Sequence, residues 1–193
     1  MTLVLSFARM NPPTWGHDLN IKALLRIADE RRADHYCILT NTKDHKKNPL
    51  AIHDKVVWAQ IAWPEAKFLT CDAKFRGLFE WLHHLYPTWR QHLVFVCGAD
   101  RVAHFTDIIN KYNGKETNKP EQYYQFDKVE VVSTGERTIN VSGSAMREFV
   151  RNNDYPNFCW HCPPLIRSEP SYTLELYNLL RYELRCHELQ RTA

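Results

Sequence analysis

The sequence predicts an α/β fold, a Rossmann-like open parallel sheet of about five strands with helices on both faces and a C-terminal helix. Short apolar runs alternate along the chain with segments whose apolar residues recur at helical spacing. Proline, glycine and asparagine separate these segments. The 193 residues include 44% hydrophobic and 24% charged residues, proportions that are ordinary for one well-packed globular domain.

The predicted strands occupy residues 2–7, 35–40, 66–70, 92–97 and 127–133. The predicted helices occupy residues 18–32, 50–62, 75–86, 100–112, 143–152 and 171–189. We expect Pro49 at the first position of the second helix, and Asn113-Gly114 at the end of the fourth. The polar stretch 115–125 is predicted to be a surface excursion. Residues 1–165 would form the domain, and residues 166–193 its C-terminal helical extension.

Composition narrows the class of protein. No apolar run approaches the roughly 18 residues that a bilayer span needs, so no membrane span is expected. Arg9 and Pro12 interrupt the N-terminal run too early for a secretory signal, which predicts a cytoplasmic protein with its six cysteines reduced. The net charge of +3 is dispersed apart from a basic cluster at residues 43–47. That distribution suits one nucleoside triphosphate better than a nucleic acid.

The segment Asn11-Pro-Pro-Thr-Trp-Gly-His17 directly follows the apolar run 3–7 and has the pattern of strand, tight turn and helix. A helix that starts near His17 and Asp18 would direct its free backbone N–H groups and its positive dipole end at a phosphate. Gly16 would allow a ligand close to the backbone, and His17 would add a side-chain donor. The segment therefore predicts an anion site.

A second segment, Val141-Ser-Gly-Ser-Ala-Met-Arg147, also precedes a helical pattern. Ser142 is expected at its N-cap. Arg147 is expected in about the first turn, where its planar guanidinium could bind phosphate oxygens. Two such helix starts together predict a site for a polyphosphate.

Thr14-x-Gly-His17 resembles the (H/T)xGH motif of the cytidylyltransferase-like nucleotidyltransferase superfamily, and Val141-Ser-Gly-Ser-x-x-Arg147 resembles its ISSTxxR motif. The superfamily includes nicotinamide mononucleotide (NMN) adenylyltransferases and glycerol-phosphate cytidylyltransferases. Gly98-Ala-Asp-Arg101 resembles the GxD turn of the adenylyltransferase branch. Lys43-Asp-His-Lys-Lys-Asn-Pro-Leu50, together with Gly135-Glu-Arg137, resembles bacteriophage-encoded members. The resemblance covers roughly residues 1–165.

This resemblance implies transfer of a nucleoside monophosphate from a nucleoside triphosphate, ATP before the others, to a phosphorylated small molecule. NMN is the expected acceptor, which would give NAD and pyrophosphate. The implied catalytic residues are His17, Thr14, Arg147 and Lys46. The implied nucleotide-binding residues are Phe7, Arg9, Asn11, Gly16, Lys47, Gly98, Asp100, Ser142, Gly143 and Ser144. Mg²⁺ would bridge phosphates through water and substrate oxygens, with no protein ligand to the metal. Whether the chain forms a homo-oligomer is left open.

Several alternatives remain open at this point. The chain could be a cytidylyltransferase acting on a polyol or lipid-head phosphate, or an inactive nucleotide-binding or interaction protein on the same fold. Binding of RNA ends would require an extended basic surface. Thr14 and Gly143 depart from the family motifs. These two departures weaken the inference of the substrate from the family.

Individual residues also have plainer interpretations. His17 could be a cap or a surface residue, residues 43–47 a solvated loop, and Asp100 a cap of the helix that follows it. Cys159-Trp-His-Cys162 with Cys186-His187 could bind zinc, but the adjacent second pair favours buried thiols.

Overall fold

The computed structural model describes residues 1–44, 46–135 and 141–189, with side chains as far as Arg185. Its strands are β1 (Thr2–Ala8), β2 (Asp34–Leu39), β3 (Phe68–Thr70), β4 (His92–Cys97) and β5 (Lys128–Ser133). Its helices are α1 (Trp15–Glu30), α2 (Ile52–Ala62), α3 (Leu78–Trp89), α4 (Val102–Tyr112), α5 (Gly143–Arg151), α6 (Tyr155–His161), α7 (Pro164–Ser168) and α8 (Pro170–Leu189). Short 3₁₀ turns occupy Ala99–Arg101 and Pro120–Gln122.

The five strands form one parallel sheet in the order β3-β2-β1-β4-β5. β1 pairs with β2 from Leu3↔Asp34 to Ala8↔Leu39, and with β4 from Thr2↔His92 to Leu5↔Phe95. The central strands are continuous apolar runs because a parallel sheet is covered on both faces. From β1 the chain adds β2 and β3 on one side of the sheet, and then returns to add β4 and β5 on the other side. The carboxyl ends of β1 and β4 are therefore the topological switch point. The predicted fold class is confirmed.

The predicted strands and the six predicted helices all occur, with boundary differences that have local causes. α1 begins at Trp15 rather than near residue 18, because Thr14 occupies the capping position. Pro49 does not open α2, whose N-cap is Ala51. α3 continues past Pro87 to Trp89, since a proline this close to the end removes a single helical hydrogen bond. The prediction missed α6 and α7, which are too short, at 7 and 5 residues, to show a helical period.

By its internal contacts the chain divides into two compact units, each made of three segments. Unit 1 consists of Met1–Ala8, Leu19–Thr40 and Ala66–Arg137. Unit 2 consists of Arg9–Asp18, Asn41–Glu65 and Thr138–Ala193. The whole sheet lies in unit 1, and the first turn of α1 belongs to unit 2. The division at residue 165 stays a prediction.

The core of unit 1 combines inward-facing strand residues with α3, α4 and the end of the polar stretch 115–125. Tyr124 in that stretch is fully buried and donates its hydroxyl to the Ile109 carbonyl at 2.8 Å. The stretch is therefore anchored to the core at its end. Asn113 and Gly114 end α4 as predicted, with Gly114 at a φ of +72°.

The core of unit 2 includes one face of α8. Leu176, Leu180 and Leu184 are buried, and Tyr177 contacts Phe158 of α6 at a centroid distance of 5.2 Å. The C-terminal helix thus packs within unit 2, as its apolar spacing predicts. None of the described helices combines the length and apolar character that crossing a membrane requires.

Candidate functional site

Thr14 and His17 form a closed arrangement at the start of α1. The His17 backbone N–H donates to the Thr14 carbonyl at 2.9 Å. In return the Thr14 backbone N–H donates to Nδ1 of His17 at 3.0 Å, and the Thr14 hydroxyl lies 3.0 Å from the same nitrogen. Thr14 is 1% exposed, whereas His17 is partly exposed. The histidine acts as the reciprocal partner that a glutamate supplies in a capping box.

These bonds assign the tautomer of His17. A backbone N–H can only donate, so Nδ1 of His17 must be the acceptor. In the neutral ring the proton then lies on Nε2, which becomes the donor. A neutral histidine with its proton on Nε2 can donate to a phosphate oxygen without first gaining a charge. The arrangement therefore suits the donor role that the motif implies for His17.

Two glycines mark places where the segments of the two motifs approach each other closely. A Cβ atom added at Gly16 would lie 3.1 Å from the Val141 carbonyl oxygen. A Cβ atom added at Gly143 would lie 2.9 Å from the Asn11 carbonyl oxygen and 3.2 Å from a terminal nitrogen of Arg147. The departure from the family motif at Gly143 thus has a packing cause, because a larger residue would displace backbone.

Replacing Gly143 with alanine is expected to destabilise the protein by about 1–3 kcal/mol, the usual cost of forcing an extra carbon into a packed site. Thermal and urea unfolding measure the change. Gly77→Ala is the matched control, because its Cβ would meet its nearest neighbour, Glu80, at an ordinary 3.5 Å. Equal stability of the two variants would contradict the close approach at Gly143.

Arg147 connects the two motifs. It is 5% exposed and lies just past the first turn of α5, close to where it was expected. One terminal nitrogen donates to the Asn11 carbonyl at 2.6 Å, and the other donates to the Ser144 hydroxyl at 2.9 Å. Its Nε is buried without a hydrogen-bond partner. Burial, followed by the charges of Arg151 and Arg9, lowers the pKa of Arg147.

In the part of the chain that the structure describes, no carboxylate lies within ion-pair distance of Arg147, although Asp44 and Glu148 favour its charged form from farther away. A buried cation without a counter-charge in contact with it is costly, and a bound anion would relieve that cost. The starts of α1 and α5 add positive dipole ends in the same unit. Ser142 caps α5 as predicted, accepting the Ala145 N–H at 3.1 Å. The arrangement as a whole favours an anionic ligand.

A basic turn, residues 43, 44 and 46–48, precedes α2 in the same unit. Asp44 and Asn48 exchange two backbone hydrogen bonds, at 2.9 and 3.2 Å. Oδ1 of Asp44 accepts the backbone N–H groups of Lys46 at 3.0 Å and Lys47 at 2.6 Å, and Oδ2 accepts the side-chain amide of Asn48. These donors, the Lys47 N–H first, lower the pKa of Asp44 to about 2. The side chains of Lys46 and Lys47 are exposed.

Asp44 is expected to make the stability of the folded protein depend on pH in acidic solution. Its pKa is about 2 in the folded protein against an ordinary 3.8, so its contribution is complete above the ordinary value and is lost as the pH falls toward 2. Asp44→Asn keeps the acceptor oxygen but does not titrate. The melting-temperature difference between wild type and Asp44→Asn should therefore shrink as the pH falls from about 5 to about 2. A difference independent of pH would contradict the assignment.

Asn11 has a structural role in addition to its predicted place in the site. Its side chain accepts the Leu50 N–H at 2.9 Å and donates to the Leu50 carbonyl at 3.3 Å. Its own carbonyl receives Arg147. Asn11 thus joins the first motif, the segment before α2 and α5 through bonds that the sequence does not show.

The remaining predicted residues are distributed over both units. Arg9 is exposed in unit 2. Phe7 lies in β1 and Gly98 follows β4, so both stand near the switch point of the sheet in unit 1. Asp100 lies inside a 3₁₀ turn, and Arg101 occupies the N-cap of α4, which corrects the expectation that Asp100 caps that helix. The motif residues His45, Glu136 and Arg137 lie outside the described residues.

Sequence reasoning missed two residues that hold this region together. Lys55 on α2 is fully buried and donates to the Thr42 carbonyl at 2.9 Å. The spacing of apolar residues in this helix gives no sign that Lys55 is buried, so the sequence does not distinguish it from a surface lysine. The role of Asp44 could have been predicted, because an aspartate in a turn commonly accepts the backbone N–H of the residue two positions later.

The zinc alternative finds no support in the described residues, among which no group of three or more histidine, cysteine or acidic side chains could hold a metal ion. Cys162 is buried, and burial raises the pKa of its thiol well above the ordinary value. The side chains of Cys186 and His187 lie outside the described residues. Trp63, considered as a stacking residue, is buried and donates to Asp18 at 2.9 Å.

Comparison with known proteins adds no assignment: no protein-family model matches the chain, and no curated protein matches it significantly.

Proposed function

We propose that the protein is a nucleotidyltransferase that moves a nucleoside monophosphate, most favourably from ATP, to a phosphorylated small molecule, with NMN as the first acceptor to test. The observation that carries the proposal is the donor arrangement of unit 2. His17 offers Nε2–H at the start of α1, and Arg147 holds a buried charge with no described carboxylate within ion-pair distance. The resemblance of both segments to nucleotidyltransferase motifs adds the reaction class.

The proposed reaction needs no nucleophile from the protein. A phosphate oxygen of the acceptor attacks the α-phosphorus of the nucleoside triphosphate and forms the new P–O bond. The bond from the α-phosphorus to the bridging oxygen breaks, and pyrophosphate leaves with that electron pair. The protein must align two anions and stabilise the charge that grows on the α-phosphate and the bridging oxygen. Hydrogen-bond donors therefore matter more than a general base.

Each proposed role uses a hydrogen-bond donor or a cation of unit 2. His17 donates to the α-phosphate, and Thr14 holds its ring in the required tautomer. Ser144 and the start of α5 contact the β- and γ-phosphates, with Arg147 supplying charge beneath them. Lys46 and Lys47 contact the leaving pyrophosphate from the basic turn. Mg²⁺ enters as part of the nucleotide substrate and is held through water and phosphate oxygens.

The nucleoside part of the proposal rests on the resemblance alone. The resemblance assigns Gly98, Asp100 and Phe7 to the nucleoside. The GxD turn favours adenylyl over cytidylyl transfer. Gly98 would allow a close backbone approach, and Asp100 would accept hydroxyl groups of the sugar.

The proposal is tested by pyrophosphate release from purified protein with Mg²⁺. ATP, CTP, GTP and UTP are each combined with NMN, glycerol 3-phosphate or phosphopantetheine. Release with ATP and NMN, with NAD formed in equal amount, is the expected result. Release with CTP and a polyol phosphate would instead identify a cytidylyltransferase. Nucleotide binding without release from any pair would identify a binding protein on this fold.

A further inference from the structure

The basic turn contains one acidic residue among its lysines, and that residue does not pair with their ammonium groups. Asp44 instead directs its carboxylate at the backbone of the turn, accepting the N–H groups of Lys46 and Lys47 on one oxygen. The other oxygen accepts the Asn48 side chain. In the described part of the chain neither Lys46 nor Lys47 forms an ion pair. The carboxylate shapes the turn and leaves both cations exposed.

The turn is also fixed at both of its ends within unit 2. Before it, the buried Lys55 donates to the Thr42 carbonyl at 2.9 Å. After it, the Asn11 side chain makes two hydrogen bonds with the Leu50 backbone, at 2.9 and 3.3 Å. Asn11 lies three residues before Thr14, so the second anchor connects the turn to the segment that carries His17. A turn anchored in this way loses little further freedom when its lysines bind a ligand.

We infer that Asp44 is a positioning residue, which holds the backbone of Lys46 and Lys47 so that their side chains meet the β- and γ-phosphates of the nucleotide. This inference rests on the proposed function, because it assigns the lysines to the leaving pyrophosphate. It also gives an acidic residue a favourable effect on the binding of an anion. From its charge alone, Asp44 would weaken the binding of an anion. The opposite expected effect on affinity makes the inference testable.

The test measures binding of inorganic tripolyphosphate by calorimetry at low ionic strength, without an acceptor and without turnover. Asp44→Ala removes both the charge and the acceptors, and is expected to weaken binding about tenfold, since the backbone that carries the two lysines must then be ordered on binding. Asp44→Asn is the matched control, because its Oδ1 still accepts both backbone N–H groups, and its new amide can donate to the otherwise unpartnered Oδ1 of Asn48 once the Asn48 amide turns over. It should bind tripolyphosphate as tightly as wild type or more tightly.

A cycle with Lys46→Ala/Lys47→Ala tests whether Asp44 acts through the lysines. In that background the further change Asp44→Ala should no longer weaken binding. If Asp44→Ala alone does not fold, Asn48→Ala provides a milder change: it removes the amide held by Oδ2 and should weaken binding about threefold. In turnover, Asp44→Ala should raise the KM for the nucleotide and leave the KM for the acceptor unchanged.

Tighter binding by both Asp44 variants would overturn the inference, because Asp44 would then act only as a nearby negative charge. Equal weakening by Asp44→Ala with and without the two lysines would overturn it as well. If wild type releases pyrophosphate while Asp44→Ala keeps full affinity for tripolyphosphate, the proposed function stands and the inference fails. Failure of wild type to bind tripolyphosphate would overturn both.

Discussion

Replacing His17 with asparagine is expected to slow pyrophosphate release about 10²–10³-fold, the usual effect of removing one donor to a developing oxyanion. Oδ1 of asparagine lies about where Nδ1 of histidine does, so it can still accept the Thr14 N–H that closes the start of α1. The Nε2–H donor is lost. Stability should therefore change little while the rate falls, as measured by thermal unfolding and by single-turnover pyrophosphate release.

The comparison with His17→Gln separates the two ring nitrogens. Glutamine places an amide N–H near the position of Nε2 but offers no acceptor at the position of Nδ1. It should retain more activity than asparagine and lose more stability, because the buried Thr14 N–H is left without a partner. The reverse order, with asparagine the more active variant, would show that His17 acts as a cap and not as the phosphate donor.

Replacing Arg147 with alanine is expected to give the largest loss of stability among the site residues and to abolish pyrophosphate release. The change leaves the Asn11 carbonyl without its donor at a buried position, which costs about 1–3 kcal/mol before the lost packing is counted. It also removes the buried charge that favours the polyphosphate. Urea unfolding, with and without tripolyphosphate, measures both effects.

Two controls accompany the Arg147 variant. Arg151→Ala removes an exposed arginine of the same helix, which pairs with Glu148, and should change stability by less than about 0.5 kcal/mol. Arg147→Lys keeps a positive charge but cannot reach both Asn11 and Ser144 with a planar fork, so it should recover only part of the stability. Stabilisation of wild type by tripolyphosphate should disappear in Arg147→Ala. Undiminished stabilisation there would show that the anion binds elsewhere.

The features that the sequence predicted correctly are those set by short stretches of chain. The five strands follow from apolar runs bounded by turn residues, since a strand buried on both faces needs little else. The Ser142 cap depends on a bond to a residue three positions away. The end of α4 at Asn113-Gly114 likewise depends on the conformation of the residues at that point. Such features need no knowledge of distant contacts.

The features that the sequence misjudged depend on contacts between distant segments. The start of α2 at Ile52 follows from bonds that fix the preceding segment, in which Asn11 holds Leu50 across 39 positions. α6 and α7 are too short to show a period, and packing within unit 2 stabilises them. The partner of Arg147 was likewise not predicted, because its side chain donates to a carbonyl 136 positions away.

By itself, the sequence determined the parallel α/β sheet, the Ser142 cap of α5 and the motif residues that suggest nucleotidyl transfer. Only the tertiary structure decided how those residues are used within unit 2. It made Gly143 necessary through the nearby Asn11 carbonyl, and it buried Arg147 beside that carbonyl. It also directed Asp44 at the backbone of the basic turn. The reason is physical: hydrogen-bond partners are chosen by proximity in the folded chain, and sequence spacing determines proximity only within a few residues.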